Sequence, residues 1–185
     1  KSYSDTLTNE NSSTIKTTLE NWYQTNIDNK GYDSYVATEQ FCEQAKVKYS
    51  TSYTSGNAIM TVYDSYIADF KCTTDGNKKG VLDLKIGLIT YDEVIHAGGY
   101  YLNLNTNYYL YNSSYSLWTM SPAGFPSPRP RVWYVSSSGR VNLDDVSTGY
   151  SLSPVINLKA DTIVAVKDLE QIPGTESNPY VVQTK

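Results

Sequence analysis

Residues with catalytic chemistry are few and isolated in this chain. His96 is the only histidine, and it lies between Ile95 and Ala97 in a short predicted helix. A serine or cysteine nucleophile needs a general base, and no Gly-x-Ser-x-Gly turn accompanies this histidine. Asp144 and Asp145 are adjacent on a predicted strand, where neighbouring side chains point to opposite faces. We therefore expect a turn or rim feature rather than an acid–base pair, and we predict that the domain is not an enzyme.

The sequence also lacks metal-binding spacing. Asp64, Asp69 and Asp75 do not alternate as the ligands of a calcium-binding loop do. Neither Cys42 nor Cys72 has a partner at zinc-ligand spacing, and the chain contains no glycine-rich phosphate loop. We therefore predict no metal site and no cofactor.

The two cysteines have a structural interpretation. In a chain rich in tyrosine, serine and threonine that we expect to be exported, Cys42 and Cys72 are predicted to form one disulfide. It would close a loop of about 30 residues and contribute roughly 3 kcal/mol by restricting the unfolded chain. Two buried free thiols are the alternative.

The composition favours a binding protein that works through a hydrated surface. The 185 residues suit one domain, 1–185, with its own core. The 18 tyrosines outnumber the 3 phenylalanines, and tyrosine joins a large apolar ring to a polar tip, although strand packing explains part of them. The net charge of −4 disfavours nucleic acid and anionic membranes as partners. No apolar run has transmembrane length, so we expect no membrane insertion by this segment.

The elements that would position a binding surface begin with a helix. Ile15, Leu19, Trp22 and Tyr23 recur at helical spacing, which predicts a first helix with its N-cap among residues 11–13. An asparagine- and glycine-containing stretch follows and ends the helix.

Weaker patterns follow in the middle of the chain. A second helix is expected over 38–45, with Phe41 and Cys42 facing inward, and a loop with short strands is expected over 49–79. The continuous apolar run 81–89 predicts a buried strand.

The clearest local signal is a capping box. Thr90 and Glu93 stand three residues apart, so each side chain can bond the backbone N–H of the other. They predict a short helix that Gly98 and Gly99 terminate.

The second half of the chain has β character. Short apolar segments predict strands over 108–111, 117–120, 132–135, 141–143, 155–158 and an edge strand over 179–182. The segment 137–140 predicts a hairpin turn. Helices followed by short strands indicate the α+β class. We expect one core, formed by Ile15, Leu19, Trp22, Leu88, Trp118, Val155 and Ile156.

A series of short blocks in fixed order extends over nearly the whole chain. The blocks are 14–16, 21–23, 41–42, 87–93, 97–99, 108–111, 118–122, 132–135, 138–139, 153–159, 174–175 and 178–182. Together they resemble a bacterial, Firmicutes-type family of surface and pilin-associated domains. That family is similar to the C-type-lectin-like fold of formylglycine-generating enzymes and of the variable proteins made by diversity-generating retroelements.

The resemblance implies a fold, a location and a role. It implies N-terminal helices followed by short antiparallel strands and long loops, on a cell surface, a pilus or a secreted protein, with a non-catalytic binding role. Two features depart from the related proteins. The enzyme branch needs a C-terminal cysteine pair, and no cysteine lies beyond Cys72; the Glu-Pro-Asn and Trp-Asn-Asp signatures of calcium lectins are also missing. The resemblance therefore implies a scaffold without a specified ligand.

The resemblance to variable proteins can be compared with the residue usage. In variable proteins, mutagenesis at the adenines of Asn-type codons yields codons that end in C. Such codons cannot encode Lys, Glu, Gln, Met or Trp. Between Ser121 and Leu158 only Trp133 belongs to that set, and all three arginines of the chain lie in this segment. Lys and Gln are already missing between Tyr91 and Ser121, however, before that segment begins. An actively diversified region and a fixed loop of ordinary divergence both stay open.

The leading hypothesis is an adhesin-like module that binds a protein or glycan on another cell or surface. Val132, Val135 and Val141 are expected to face inward and leave aromatic, arginine and small polar side chains exposed. The predicted contact residues are Phe125, Ser127, Arg129, Arg131, Tyr134, Ser136, Arg140, Asn142 and Asp144.

Two alternatives belong to other functional classes. A structural stalk or pilin module would space other domains and bind no ligand of its own. A divergent enzyme of the formylglycine-generating-enzyme-like fold would need a pocket that gathers His96 with carboxylates.

Overall fold

The fold combines two α-helices with several small antiparallel sheets. The computed structural model describes residues 13–42, 53–54, 57–58, 81–101, 103–124, 131–166, 169–170 and 178–183. In chain order the elements are α1 (Thr14–Asn26), two 3-10 turns (Asp28–Lys30 and Asp33–Tyr35), β1 (Glu39–Cys42), β2 (Tyr53–Thr54), β3 (Asn57–Ala58), β4 (Val81–Leu84), β5 (Gly87–Leu88), α2 (Tyr91–His96), β6 (Leu117–Gly124), β7 (Arg131–Val135), β8 (Val141–Asp145), β9 (Pro154–Val155), β10 (Val164–Val166) and β11 (Tyr180–Val182). This combination confirms the α+β class.

The first helix begins where the sequence predicts. The Ser13 side chain accepts a hydrogen bond from the backbone N–H of Lys16 at 3.1 Å and caps α1. Leu19 and Tyr23, one turn apart, are buried. Trp22 falls at the edge of that stripe and is 40% exposed, so its predicted place in the core is wrong.

The predicted second helix over 38–45 is wrong. Residues Glu39–Cys42 form β1, which pairs antiparallel with β4 so that Cys42 lies opposite Val81. The pairing joins segments about 40 residues apart, and its backbone hydrogen bonds outweigh the weak helical periodicity. Cys72 lies outside the described residues, so the disulfide with Cys42 stays a prediction.

The apolar run 81–89 is divided between two strands rather than one. β4 ends at Leu84, and β5 begins at Gly87 and pairs with β9. Between them Lys85 donates to both carboxylate oxygens of Asp33, at 2.5 and 2.6 Å, and Tyr23 donates to the same carboxylate at 2.7 Å. This ion pair and hydrogen bond connect α1 to the β4–β5 turn.

The capping box is confirmed. The Thr90 hydroxyl accepts from the Glu93 N–H at 3.2 Å, and the Glu93 carboxylate accepts from the Thr90 N–H at 2.6 Å. The chain leaves α2 through Gly98, whose φ of +107° lies in the region that favours glycine.

The three-stranded sheet β6–β7–β8 is the largest sheet among the described residues. The predicted strands over 117–120, 132–135 and 141–143 all lie within it. The predicted hairpin turn joins β7 to β8: the Ser136 N–H donates to the Arg140 carbonyl at 2.7 Å, and Gly139 adopts φ +86°. This is a three-residue loop with a glycine in the left-handed region before the second strand.

The structure corrects two other predicted strands. Residues 108–111 form a turn, in which the Tyr111 N–H donates to the Tyr108 carbonyl at 3.0 Å. β9 spans Pro154–Val155, so it includes only Val155 of the predicted 155–158, although Leu158 still forms an isolated bridge with Val36. The C-terminal edge strand is confirmed, because β11 pairs with β10.

Two apolar clusters replace the single predicted core. The first cluster lies between α2 and the three-stranded sheet and contains Ile89, Tyr91, Val94, Tyr108, Leu117, Ala123, Trp133, Val135 and Val141. The second lies against α1 and contains Leu19, Tyr23, Val36, Ile86 and Leu88. Ile15 and Ile156 pack on the second cluster and Val155 packs on the first.

Candidate functional site

The two faces of the β6–β7–β8 sheet have different roles. Along β7 the side chains alternate, and Trp133 and Val135 enter the first apolar cluster. Tyr134 therefore points to the opposite side, together with its register partner Asn142 on β8. We call that side the outer face.

An aromatic group covers one part of the outer face. Trp118 pairs with Tyr134 in the register of β6 and β7, and the two rings meet edge to face with centroids 5.9 Å apart. After β8 the chain crosses this face, so that the Tyr150 ring stacks on Tyr134 at 4.4 Å and contacts Trp118 at 4.7 Å. Ser151 then pairs beside Leu117 at the other edge of the sheet. The crossing buries Trp118 and leaves the two tyrosine rings half-buried.

Asp144 holds this crossing segment in place. Its Oδ2 accepts a hydrogen bond from the Tyr150 hydroxyl at 2.7 Å, and its Oδ1 accepts from the Asp145 N–H at 2.7 Å. Desolvation acts to raise the pKa of Asp144, but the hydrogen bonds from Tyr150, Asp145 and Thr148 outweigh it and hold that pKa below its usual value. Desolvation and the bond to Asp144 raise the pKa of Tyr150. Asp144 is thus a positioning residue for the aromatic group.

Polar side chains gather at the opposite end of the outer face, beside the β7–β8 turn. Arg140 is exposed and lies opposite Ser136, and Asn142 follows on the same side of β8. Tyr101 forms a parallel bridge with Val141, so Tyr100 lies next to Arg140 on the outer face. We call the five residues Tyr100, Tyr134, Ser136, Arg140 and Asn142 the turn-end patch.

The turn beneath this patch is fixed by a neighbouring loop. The Asn105 N–H donates to the Gly139 carbonyl at 3.0 Å, and the Ser137 N–H donates to the Ser116 hydroxyl at 3.1 Å. A Cβ at Gly139 would lie 2.6 Å from the Asn105 carbonyl oxygen. The patch is therefore presented on a braced turn rather than on an unsupported loop.

The structure brings some predicted contact residues together and separates others. Tyr134, Ser136, Arg140, Asn142 and Asp144 share the outer face.

Arg131 has a different position. Alternation along β7 places Arg131 on the opposite face from Tyr134. The Arg131 side chain pairs with Asp145 at 3.2 Å, at the end of β7 that is far from Arg140. Five residue steps along the strands, about 17 Å, separate the two arginines, so they do not form one positive patch.

The other predicted contact residues and the three valines expected to face inward have different outcomes. Phe125, Ser127 and Arg129 lie outside the described residues. Val135 and Val141 face the core as expected. Val132 does not, because alternation places it beside Tyr134 on the outer face and places Trp133 inward.

Two residues that belong to this surface were missed by the sequence analysis. Tyr101 packs on Trp133 in the core, and adjacent residues of an extended segment point to opposite faces. This alternation was available in the sequence and places Tyr100 on the outer face. For Tyr150 the sequence carried no comparable signal, because its position depends on how the chain crosses the sheet.

Three observations concern other kinds of site in the described ranges. His96 is exposed at the end of α2. In those ranges no three or more His, Cys, Asp or Glu side chains are grouped so that they could hold a metal ion. Neither α1 nor α2 has the length and apolar character needed to span a bilayer.

Comparisons of the chain with protein-family models, with curated proteins and with solved structures found no match.

Proposed function

We propose that this chain is a non-catalytic, extracellular ligand-binding domain that acts as an adhesin-like module through the outer face of its three-stranded sheet. One observation carries the proposal. The sheet buries one face in the core, whereas its other face carries the half-buried Tyr134 and Asn142 on its strands, beside the exposed Arg140 of the β7–β8 turn. Aromatic and arginine side chains with small polar neighbours are the residues that contact surfaces use.

The rigidity of the surface supports the same proposal. The Tyr134 ring is held by Tyr150 and Trp118, and the β7–β8 turn is held by hydrogen bonds to Asn105 and Ser116. Side chains that are already ordered lose little conformational entropy on binding, so more of the contact energy appears as affinity.

A C-type-lectin-like fold is part of the proposal. It is supported by α1 before the first strands, by α2 before the three-stranded sheet, and by the short antiparallel strands of the described residues. An extracellular or cell-surface location is supported by the abundance of tyrosine and small polar residues in the sequence. Diversification of residues 123–148 is an additional hypothesis, and comparison of sister sequences tests it.

A matched pair of double variants tests the binding role. Arg140→Ser with Asn142→Ser removes two groups of the turn-end patch, whereas Lys30→Ser with Asn29→Ser makes the same change of charge near α1. The probes are the labelled domain with intact epithelial cells and with intact bacterial cells, measured by flow cytometry. We expect saturable binding that the first variant loses and the second keeps, with both melting temperatures within a few degrees of the parent. Absence of saturable binding, or equal binding by both variants, would overturn the proposal.

A further inference from the structure

The turn-end patch is rich in hydrogen-bond donors. Arg140 presents five N–H groups and has no ion pair among the described residues. The side-chain carbonyl oxygen of Asn142 accepts from the Leu143 N–H at 2.8 Å. The N–H groups of the Asn142 side-chain amide therefore remain to face outward. The Ser136 hydroxyl oxygen is bonded within the turn, to the N–H of Ser138. Because the side-chain oxygens of Asn142 and Ser136 are engaged internally, Arg140 and Asn142 offer donors, which suit a ligand that supplies acceptors.

The two carboxylates of β8 are occupied. Asp144 accepts bonds from Tyr150 and from the backbone, and Asp145 pairs with Arg131. Neither acid is therefore placed to neutralise Arg140, which keeps its charge available for a ligand. An arginine fork binds a carboxylate through two parallel hydrogen bonds, so a carboxylate is the anion that this geometry fits.

The size of the patch limits the class of ligand. Its residues occupy three neighbouring chain segments about 4.8 Å apart and two same-face positions about 7 Å apart, which gives an area of about 10 by 7 Å. A specific protein partner covers roughly 800 Å² of surface, about ten times more. One or two sugar rings match the smaller area, and the ring of Tyr100, which is 51% exposed, offers a flat apolar surface for their C–H groups.

We infer that the turn-end patch binds the carboxylate of an acidic sugar, a sialic or uronic acid unit. Arg140 holds the carboxylate, Asn142 donates to a neighbouring oxygen of the sugar, and Tyr100 lies against the ring. This inference rests on the proposed binding role and names the ligand class for it.

Titration of the domain with matched ligands tests the inference. The probes are sialyllactose, its uncharged parent lactose, and a polyglutamate peptide, each measured by isothermal titration calorimetry. Charge-assisted bidentate bonding predicts at least about tenfold tighter binding of sialyllactose than of lactose. Arg140→Gln should abolish that difference and Arg140→Lys should restore only part of it, because lysine lacks the planar fork.

Controls in the N-terminal region separate the site from general effects. Lys30→Gln changes the charge equally, and Tyr32→Ala removes a similarly exposed ring, so neither should change the sialyllactose affinity. Tyr100→Ala should weaken sialyllactose and lactose equally, because it removes the stacking surface and not the charge. Equal affinity for the two sugars, or an effect of Lys30→Gln equal to that of Arg140→Gln, would overturn the inference. Arg140-dependent binding of polyglutamate alone would also overturn it, while the proposed binding role would stand.

Discussion

The two faces of the β6–β7–β8 sheet use the same kinds of residue for different purposes. On the inner face Trp133 is completely buried, stacked on Tyr91 at 4.2 Å and met edge-on by Tyr101. On the outer face Trp118 and Tyr134 also form an aromatic group, but Tyr134 remains half-exposed beside polar side chains. The difference lies in what covers each face. α2 and its loops cover the inner face, whereas in the part of the chain that the structure describes the segment after β8 covers part of the outer one.

This contrast explains how one sheet can serve both stability and binding. The core face fixes the strands through apolar contacts, so the polar side chains of the turn-end patch need no stabilising role of their own. The aromatic group between them is intermediate, since it stabilises the crossing segment and also orients Tyr134. Substitutions should therefore have effects that decrease from the core face to the patch.

Replacement of the core tryptophan should have the largest effect. Trp133→Ala removes a fully buried side chain and should lower the free energy of unfolding by about 3–5 kcal/mol. Trp118→Ala, on the outer face, should destabilise less, because Tyr150 can settle into part of the space. Urea unfolding of both variants gives the comparison. A loss below about 1 kcal/mol for Trp133→Ala would show that the inner face is not the core.

The braced turn should be the next most sensitive position. Gly139→Ala places a Cβ 2.6 Å from the Asn105 carbonyl oxygen at φ +86°, so we expect a loss of about 1–3 kcal/mol. Gly149→Ala is the matched control, because a Cβ there meets nothing within 4 Å, and it should change stability by less than about 0.5 kcal/mol. Thermal unfolding distinguishes the two. Similar melting temperatures would mean that the turn is not held against the loop.

The hydrogen bond between Tyr150 and Asp144 should make the free energy of unfolding depend on pH in the acidic range. A carboxylate whose pKa is lowered by folding stabilises the protein above its unfolded pKa of about 3.9, and this stabilisation is lost as the pH falls through the lower folded value. Tyr150→Phe keeps the ring but removes one of those bonds. It should cost about 1 kcal/mol at neutral pH and reduce the loss of stability on acidification. The pKa of Asp144, followed by NMR, should rise in the variant, and an unchanged value would contradict the bond.

Tyr108, a buried tyrosine of the first apolar cluster, should make the free energy of unfolding fall as the pH rises in the alkaline range. Burial raises the pKa of Tyr108 to about 12, so between about pH 10 and 12 the unfolded chain releases a proton that the folded chain retains. Stability should then fall by up to about 1.4 kcal/mol per pH unit from this group. Tyr108→Phe should reduce the slope and have a small effect at pH 7, because the hydroxyl has no hydrogen-bond partner among the described residues. An unchanged slope in urea unfolding between pH 10 and 12 would contradict the burial of Tyr108.

The features that the sequence predicts are those whose causes are local. Ser13 caps α1, the Thr90–Glu93 pair caps α2, and Gly139 supplies the left-handed residue of the β7–β8 turn. In each case the interacting groups stand within four residues of one another. Alternation also predicts which residues share a face, and strict use of it would have grouped Val132 with Tyr134.

Long-range features could not be predicted in the same way. β1 is a strand because β4 pairs with it, and Tyr150 joins the outer face because the chain crosses the sheet after Asp144. The separation of Arg131 from Arg140 likewise follows from the register of β7 and β8. None of these relations is encoded in a short window of residue types.

Chemical-shift mapping is the most direct test of a binding surface on the outer face. An assigned ¹⁵N-labelled domain titrated with sialyllactose should show its largest amide shifts in the β7–β8 turn, at Tyr100 and at Asn142. Residues of the second apolar cluster, such as Leu19 and Leu88, should not change. Shifts confined to α1, or no shifts at saturating sugar together with no Arg140-dependent binding to cells, would contradict the account.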